Sequence, residues 1–199
     1  MASGILIVAS KFTTAREDEV RDWFSSEHLP DRRSLRECGR WIGINDSHLA
    51  VASFELDDGR GATLSNPDSA APVISRWQIV LRFEGELVGS HESQPPDNAG
   101  GLLINAMSVE PEYENEFNAW YDTEHIPALS AVPGTLSARR FRSSEGTPRY
   151  LAMYHLAWPD VQLSPDWKQA ANTPWTERMR PQFRDHVRIV AKPYTRTPA

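Results

Sequence analysis

Two histidines, a tyrosine and a pair of adjacent arginines are the side chains whose types and spacing could do chemistry. Tyr121 and His125 stand four residues apart in WYDTEHIP, one helical turn, so both could face one pocket. An imidazole titrates near neutrality and suits general acid or base work. Asp122 and Glu124 flank His125 and could orient its ring or hold a proton. His155 lies in YLAMYHL, where alternation groups it with Leu151 and Met153 and turns Tyr150 and Tyr154 the other way. Arg139 and Arg140 are neighbours in a strand-like run, so they point to opposite faces and only one can serve a given pocket. An inward guanidinium could hold a carboxylate or enolate oxygen bidentately. Together these residues suit proton abstraction next to a carbonyl. His125 or His155 would move the proton, and Tyr121 with one arginine would stabilise the oxyanion. Asp122, Glu124, Arg139, Arg140, Trp120, Tyr154 and His28 are the expected substrate-lining residues. Plainer roles compete: a helix-terminating histidine at 125 or 28, a satisfied core histidine at 155, and arginines on a solvated strand face or in salt bridges.

The elements that must position these side chains come from an internal repeat. Residues 4–30 (GILIVASKFTTAREDEVRDWFSSEHLP) align without a gap to residues 101–127 (GLLINAMSVEPEYENEFNAWYDTEHIP). Trp23, Glu27, His28 and Pro30 match Trp120, Glu124, His125 and Pro127. A fold determinant should occur in both copies, whereas a catalytic group needs only one. By that criterion His155 (opposite Ser53), Tyr121, Asp122, Arg139 and Arg140 are better functional candidates than the shared residues.

The second copy reads as a strand at 102–109, then a helix with Phe117, Trp120, Tyr121 and Glu124 on one face. A Pro133-Gly134 turn leads to strands at 136–142 and 150–158. A proline-interrupted helix at 166–183 and a last strand at 187–193 follow. The first copy places strands near 4–11, 40–45, 48–56 and 77–87, with a poor second helix in the Gly-, Ser- and Pro-rich stretch 61–75. Each copy is therefore βαββαβ, a ferredoxin-like unit whose second sheet face needs a partner. The expected fold is α+β: repeats at 1–88 and 101–199, joined by a polar linker at 89–100, pack their antiparallel sheets into one barrel with helices outside.

Bulk properties narrow the function classes. A net charge of −6 over 199 residues argues against a nucleic-acid surface. The single cysteine, Cys38, cannot form an internal disulfide, and no apolar run approaches the roughly 20 residues that span a bilayer. A cytoplasmic monomer or homodimer is expected. There is no phosphate loop, nucleophile elbow or Cys-x-x-Cys, and the histidines lack metal spacing, so neither a metal nor a cofactor is expected. Seven tryptophans should mostly fill the core, with one or two walling a flat pocket.

The stretch WYDTEHIPALSAVPGTLSARRF, with His125, Pro127, Pro133 and Gly134, resembles the signature region of small dimeric α+β barrel proteins of the EthD-like type. The first copy keeps His28 and Pro30 but lacks the Pro-Gly turn. The resemblance implies the barrel fold. It also implies a superfamily of cofactor-free cyclases, decarboxylases, dehydratases, isomerases and monooxygenases, together with haem enzymes and ligand-sensing domains. The expected function is thus a cofactor-independent lyase- or isomerase-type enzyme on an apolar or aromatic, polyketide-like carbonyl compound. A non-catalytic small-molecule-binding module and a haem- or oxygen-dependent monooxygenase are the alternatives.

Overall fold

Alternation of side chains along eight strands builds one closed barrel. The computed structural model describes residues 4–12, 20, 23–24, 36–56, 77–91 and 96–195. The strands are β1 (Gly4–Phe12), β2 (Arg36–Gly43), β3 (Leu49–Leu56), β4 (Trp77–His91), β5 (Gly101–Val109), β6 (Thr135–Arg142), β7 (Tyr150–Leu156) and β8 (Phe183–Pro193). Around the barrel they run β4-β1-β3-β2 and then β8-β5-β7-β6 before closing on β4. Both repeats therefore use the same order: fourth, first, third, second. Every pairing is antiparallel, including the two seams between repeats, β2 with β8 and β4 with β6.

The period of two sorts residues into an inner and an outer core. Ile5, Ile7, Val51, Phe83, Leu102, Ile104, Leu151 and Met153 fill the inside, contributed by both repeats. Outside, one cluster under the helices of the second repeat holds Leu103, Phe117, Trp120, Tyr121, Tyr150, Tyr154 and Trp167. Its first-repeat counterpart holds Leu6, Val8, Trp23, Phe24, Ala52 and Phe54.

The helical cover of the second repeat begins with a turn at Pro111–Tyr113 and α1 (Glu114–Trp120). A π-turn over Tyr121–His125 and α2 (Ile126–Ser130) continue it. Pro127 has no N–H to give the carbonyl of Thr123, so the ladder loosens there. The Ile126 N–H reaches back five residues to Tyr121, and the Thr123 hydroxyl donates to the Ala119 carbonyl at 2.7 Å. Gly134, at φ +92°, makes the turn into β6 that a side chain would strain. The prolines divide the expected helix at 166–183 into α3 (Pro165–Ala171) and α4 (Pro174–Met179), N-capped by Ser164 and Thr173. Phe183 opens β8 instead of closing a helix. β4 continues to His91, because Gly89, Ser90 and His91 pair with β6 although their composition reads as linker. The strand expected at 150–158 ends at Leu156, and Trp158 is exposed. Residues 61–75 lie outside the described residues. Among the described residues no helix is long and apolar enough to cross a membrane.

Register also settles which positions correspond. Ile5 pairs with Glu55 and Leu102 with His155; Ile7 pairs with Ser53 and Ile104 with Met153. The counterpart of His155 is therefore Glu55, and Ser53 corresponds to Met153. On the neighbouring strands Arg40 opposite Ala52 matches Arg140 opposite Ala152, so Arg140 is not confined to one copy. The aligned segments place Gly4 and Gly101 97 positions apart, whereas Arg40 and Arg140 stand 100 apart, so extending that alignment misses the match. Arg139 matches Gly39 and does belong to one copy only.

Candidate active site

Arg140 sits at the seam between β6 and α1 with only 1% of its surface exposed. A guanidinium so placed must satisfy its charge locally. It lies over three rings, with its central carbon 4.4 Å from the centroid of Tyr121, 4.7 Å from Tyr150 and 5.0 Å from Phe117. Its Nη1 reaches Asp122 Oδ1 at 3.3 Å and its Nη2 donates to Asn118 Oδ1 at 2.5 Å. The Asp122 side chain is 54% exposed, so this counter-charge is solvated. Burial lowers the Arg140 pKa, and Tyr121, Asp122 and Tyr150 work against that shift. Asn118 also donates to the Tyr150 hydroxyl at 3.4 Å, which itself donates to Glu114 at 2.5 Å. Arg149 pairs with Glu114 at 3.0 Å on the solvent side.

Tyr121 is the hub of this face. Its ring meets that of His125 edge-on at 5.2 Å, and burial pushes its phenol pKa up to about 12. It is therefore a lasting hydrogen-bond donor and not a base. Tyr154 is raised well above the usual phenol value, first by burial and then by Tyr121. Three buried polar atoms around Tyr121 have no partner: Arg140 Nε, the Tyr154 hydroxyl and His125 Nδ1. Buried polar groups are normally satisfied, so this cluster stands out from the rest of the outer core.

Most of the residues singled out from sequence fall here, but in altered roles. His125 is buried against Trp120, 4.2 Å between centroids, and burial followed by Arg180 lowers its pKa to about 3. Neither flanking carboxylate is turned to it: Asp122 pairs with Arg140, and Glu124 accepts from the Thr173 hydroxyl at 2.5 Å. Trp120 donates its indole N–H to Thr176 at 3.2 Å, which pins the helix to α4. His155 and Arg139 lie on the inner face, with the inner core, and cannot act with Tyr121. Burial, then Arg139, lowers the His155 pKa to about 3. His28 lies outside the described residues. Among the described residues no three His, Cys, Asp or Glu side chains could hold a metal ion together. Asn118, Tyr150 and Glu114 were missed from sequence. Asn118 lies one turn before Tyr121, and Tyr150 shares a face with Tyr154, so spacing alone could have found both.

No family model matches the chain, and no curated protein does. Solved structures match over nearly its whole length. An anthrone oxidase-like protein aligns with a TM-score of 0.62 at 11% identity, covering 96% of this chain and 92% of that one. A ferredoxin-fold protein related to antibiotic biosynthesis monooxygenases, from Listeria monocytogenes, gives 0.56 at 11%, covering 98% and 97%. A haem-degrading enzyme from the same organism gives 0.55 at 9%, covering 96% and 99%. At such identities the likeness establishes the ferredoxin-like α+β fold that these proteins share with this chain.

Proposed function

We propose that this chain is an enzyme acting on a flat aromatic, enolisable carbonyl compound at the outer face of its second repeat. The observation that supports it is the buried guanidinium of Arg140, with a free Nε, among three tyrosine hydroxyls. An enolate oxygen entering there would accept from Arg140 Nε and from the Tyr121 and Tyr154 phenols, donors fixed before the charge develops. The proton leaving the adjacent carbon would pass to the free Nδ1 of His125. Burial makes that imidazole a weak base, and a neighbouring enolate would strengthen it. The enolate is common to isomerisation, cyclisation and dehydration, and also to direct reaction with dioxygen; several of the structural neighbours are named as monooxygenases or as oxidase-like. The same reading takes the two repeats as an EthD-like tandem duplication in a cytoplasmic protein, monomeric or homodimeric, that needs no cofactor.

The low pKa of His125 favours one competing reading, a binding module that holds a preformed enolate or phenolate without turning it over. Anthrone separates the two. Under the enzyme reading, anthrone is consumed, and Tyr121→Phe lowers kcat/KM by about 10²-fold, the cost of one oxyanion donor. Phenylalanine occupies the matching position 24, so the fold accepts it. Binding without consumption would leave the module. Turnover unchanged in both Tyr121→Phe and Tyr154→Phe would remove the site assignment altogether.

A further inference from the structure

The inner face of the same strands carries polar groups that the outer chemistry does not use. Glu55 from β3 and Arg139 from β6 meet inside the barrel at 2.9 Å, each with 3% of its side chain exposed. Only Nη1 of Arg139 is committed to that contact. Its Nε and Nη2, which form the other edge of the guanidinium, are buried without a partner, and so is the indole N–H of Trp41. The three donors belong to one neighbourhood. Trp41 lies 5.9 Å from the His155 ring, and Arg139 is close enough to His155 to disfavour its charged form. His155 spends its Nδ1 on the Ser137 hydroxyl at 2.9 Å. Ser53, two residues before Glu55 on the same face, gives its hydroxyl proton to the Gly39 carbonyl at 3.4 Å, and Ile5, Ile7, Leu102 and Met153 are apolar, with Phe141 under the guanidinium at 5.6 Å.

Three unmet N–H donors on apolar walls describe a missing acceptor rather than a finished core. We propose that the barrel lumen is a second binding site, for a small uncharged carbonyl compound whose oxygen accepts from the Nε–Nη2 edge of Arg139 and from Trp41 Nε1. The ligand is uncharged because Glu55 already supplies the counter-charge of Arg139. A carboxylate would place a second negative charge beside Glu55 in an apolar interior, where only a close cation offsets its desolvation. Its body is apolar because the walls are. The site is separate from Arg140 and Tyr121, which lie across the sheet, so either assignment can fail without the other.

The test follows the Trp41 indole N–H resonance of the full-length, ¹⁵N-labelled protein, identified by its loss in Trp41→Phe. Phenylalanine stands at the corresponding position 141, so that variant suits the fold. Acetamide is expected to shift the resonance saturably, and acetate to need at least tenfold higher concentration. Arg139→Lys keeps a charge for Glu55 but removes the planar donor edge. It should weaken acetamide at least tenfold, whereas Arg140→Lys should leave the titration unchanged. If Arg139→Lys does not fold, calorimetry of acetamide binding to Trp41→Phe replaces it, with a severalfold loss expected. No saturable shift, acetate binding tighter than acetamide, or full affinity in the variants would each overturn the proposal.

Discussion

Arg40 lies over the ring of Phe24 at 5.5 Å, and Arg140 over the ring of Tyr121 at 4.4 Å. Helix alignment makes Phe24 the counterpart of Tyr121, and strand register makes Arg40 the counterpart of Arg140. The stacked arginine is thus a feature of the fold, repeated wherever a helix crosses the second strand. What differs is around it. Ala50, Phe54 and Phe24 in the first repeat stand where the second has Tyr150, Tyr154 and Tyr121. The first repeat has Phe24, Ala50 and Phe54 at these positions, and the second has a tyrosine at each of them. The proposed function draws on that difference: Tyr121 and Tyr154 would supply the oxyanion donors, while Tyr150 gives its proton to Glu114.

The largest effect should come from breaking the second stack and not the first. Arg140→Leu is expected to lower kcat/KM on anthrone by about 10²–10³-fold, the range for losing a preorganised electrostatic donor. Arg40→Leu should leave it within about twofold, because Arg40 stacks on Phe24 in the first repeat and not on Tyr121. Steady-state kinetics on both variants decides the matter. Equal losses would show that the two repeats contribute alike and would end the distinction.

Legibility in the sequence followed the range of the interactions involved. Strand periodicity and the gapless repeat at 4–30 and 101–127 were enough for the α+β barrel, because period-two patterns survive in local sequence. The opposite facing of Arg139 and Arg140 was legible for the same reason. The correspondence of His155 with Glu55 was not, since it depends on cross-strand register, which the aligned segments 4–30 and 101–127 do not carry. Nor could sequence show that His125 and His155 would be desolvated on opposite faces of one sheet. Burial belongs to the closed barrel, and it turned two expected bases near neutrality into groups with pKa of about 3.

That depression gives a second, smaller test. Both histidines fall from an ordinary 6.5 to about 3 on folding. Folding therefore favours the neutral imidazole. Its contribution is complete above pH 6.5, shrinks as the unfolded chain takes up protons that the fold refuses, and is gone near pH 3. Each histidine should cost ~1 kcal/mol of stability per pH unit across that window. His155→Gln, which cannot take a proton where the first repeat holds a carboxylate, should flatten the fall in stability between pH 6 and 4 by ~1 kcal/mol per pH unit. Urea unfolding at half-unit pH steps compares the two proteins. Parallel curves would mean that His155 protonates freely and that the lumen is wetter than its apolar walls imply.

The smallest effect concerns what holds the second repeat's helix in place. Thr173 accepts the Thr176 N–H at 3.1 Å as the N-cap of α4 and gives its hydroxyl proton to Glu124 at 2.5 Å. Thr176 in turn accepts from Trp120, the residue beside Tyr121. Thr173→Ala removes the cap and frees Glu124 while leaving every group around Arg140 in place. It should lower stability by ~1 kcal/mol. In a chain of this size that is a fall in Tm of about 2–4 °C. Because Tyr121 is also held by the stack with Arg140, kcat/KM should stay within about twofold of the parent. A loss as large as that of Tyr121→Phe would mean that the position of the helix, and not its hydroxyls, separates the second repeat from the first.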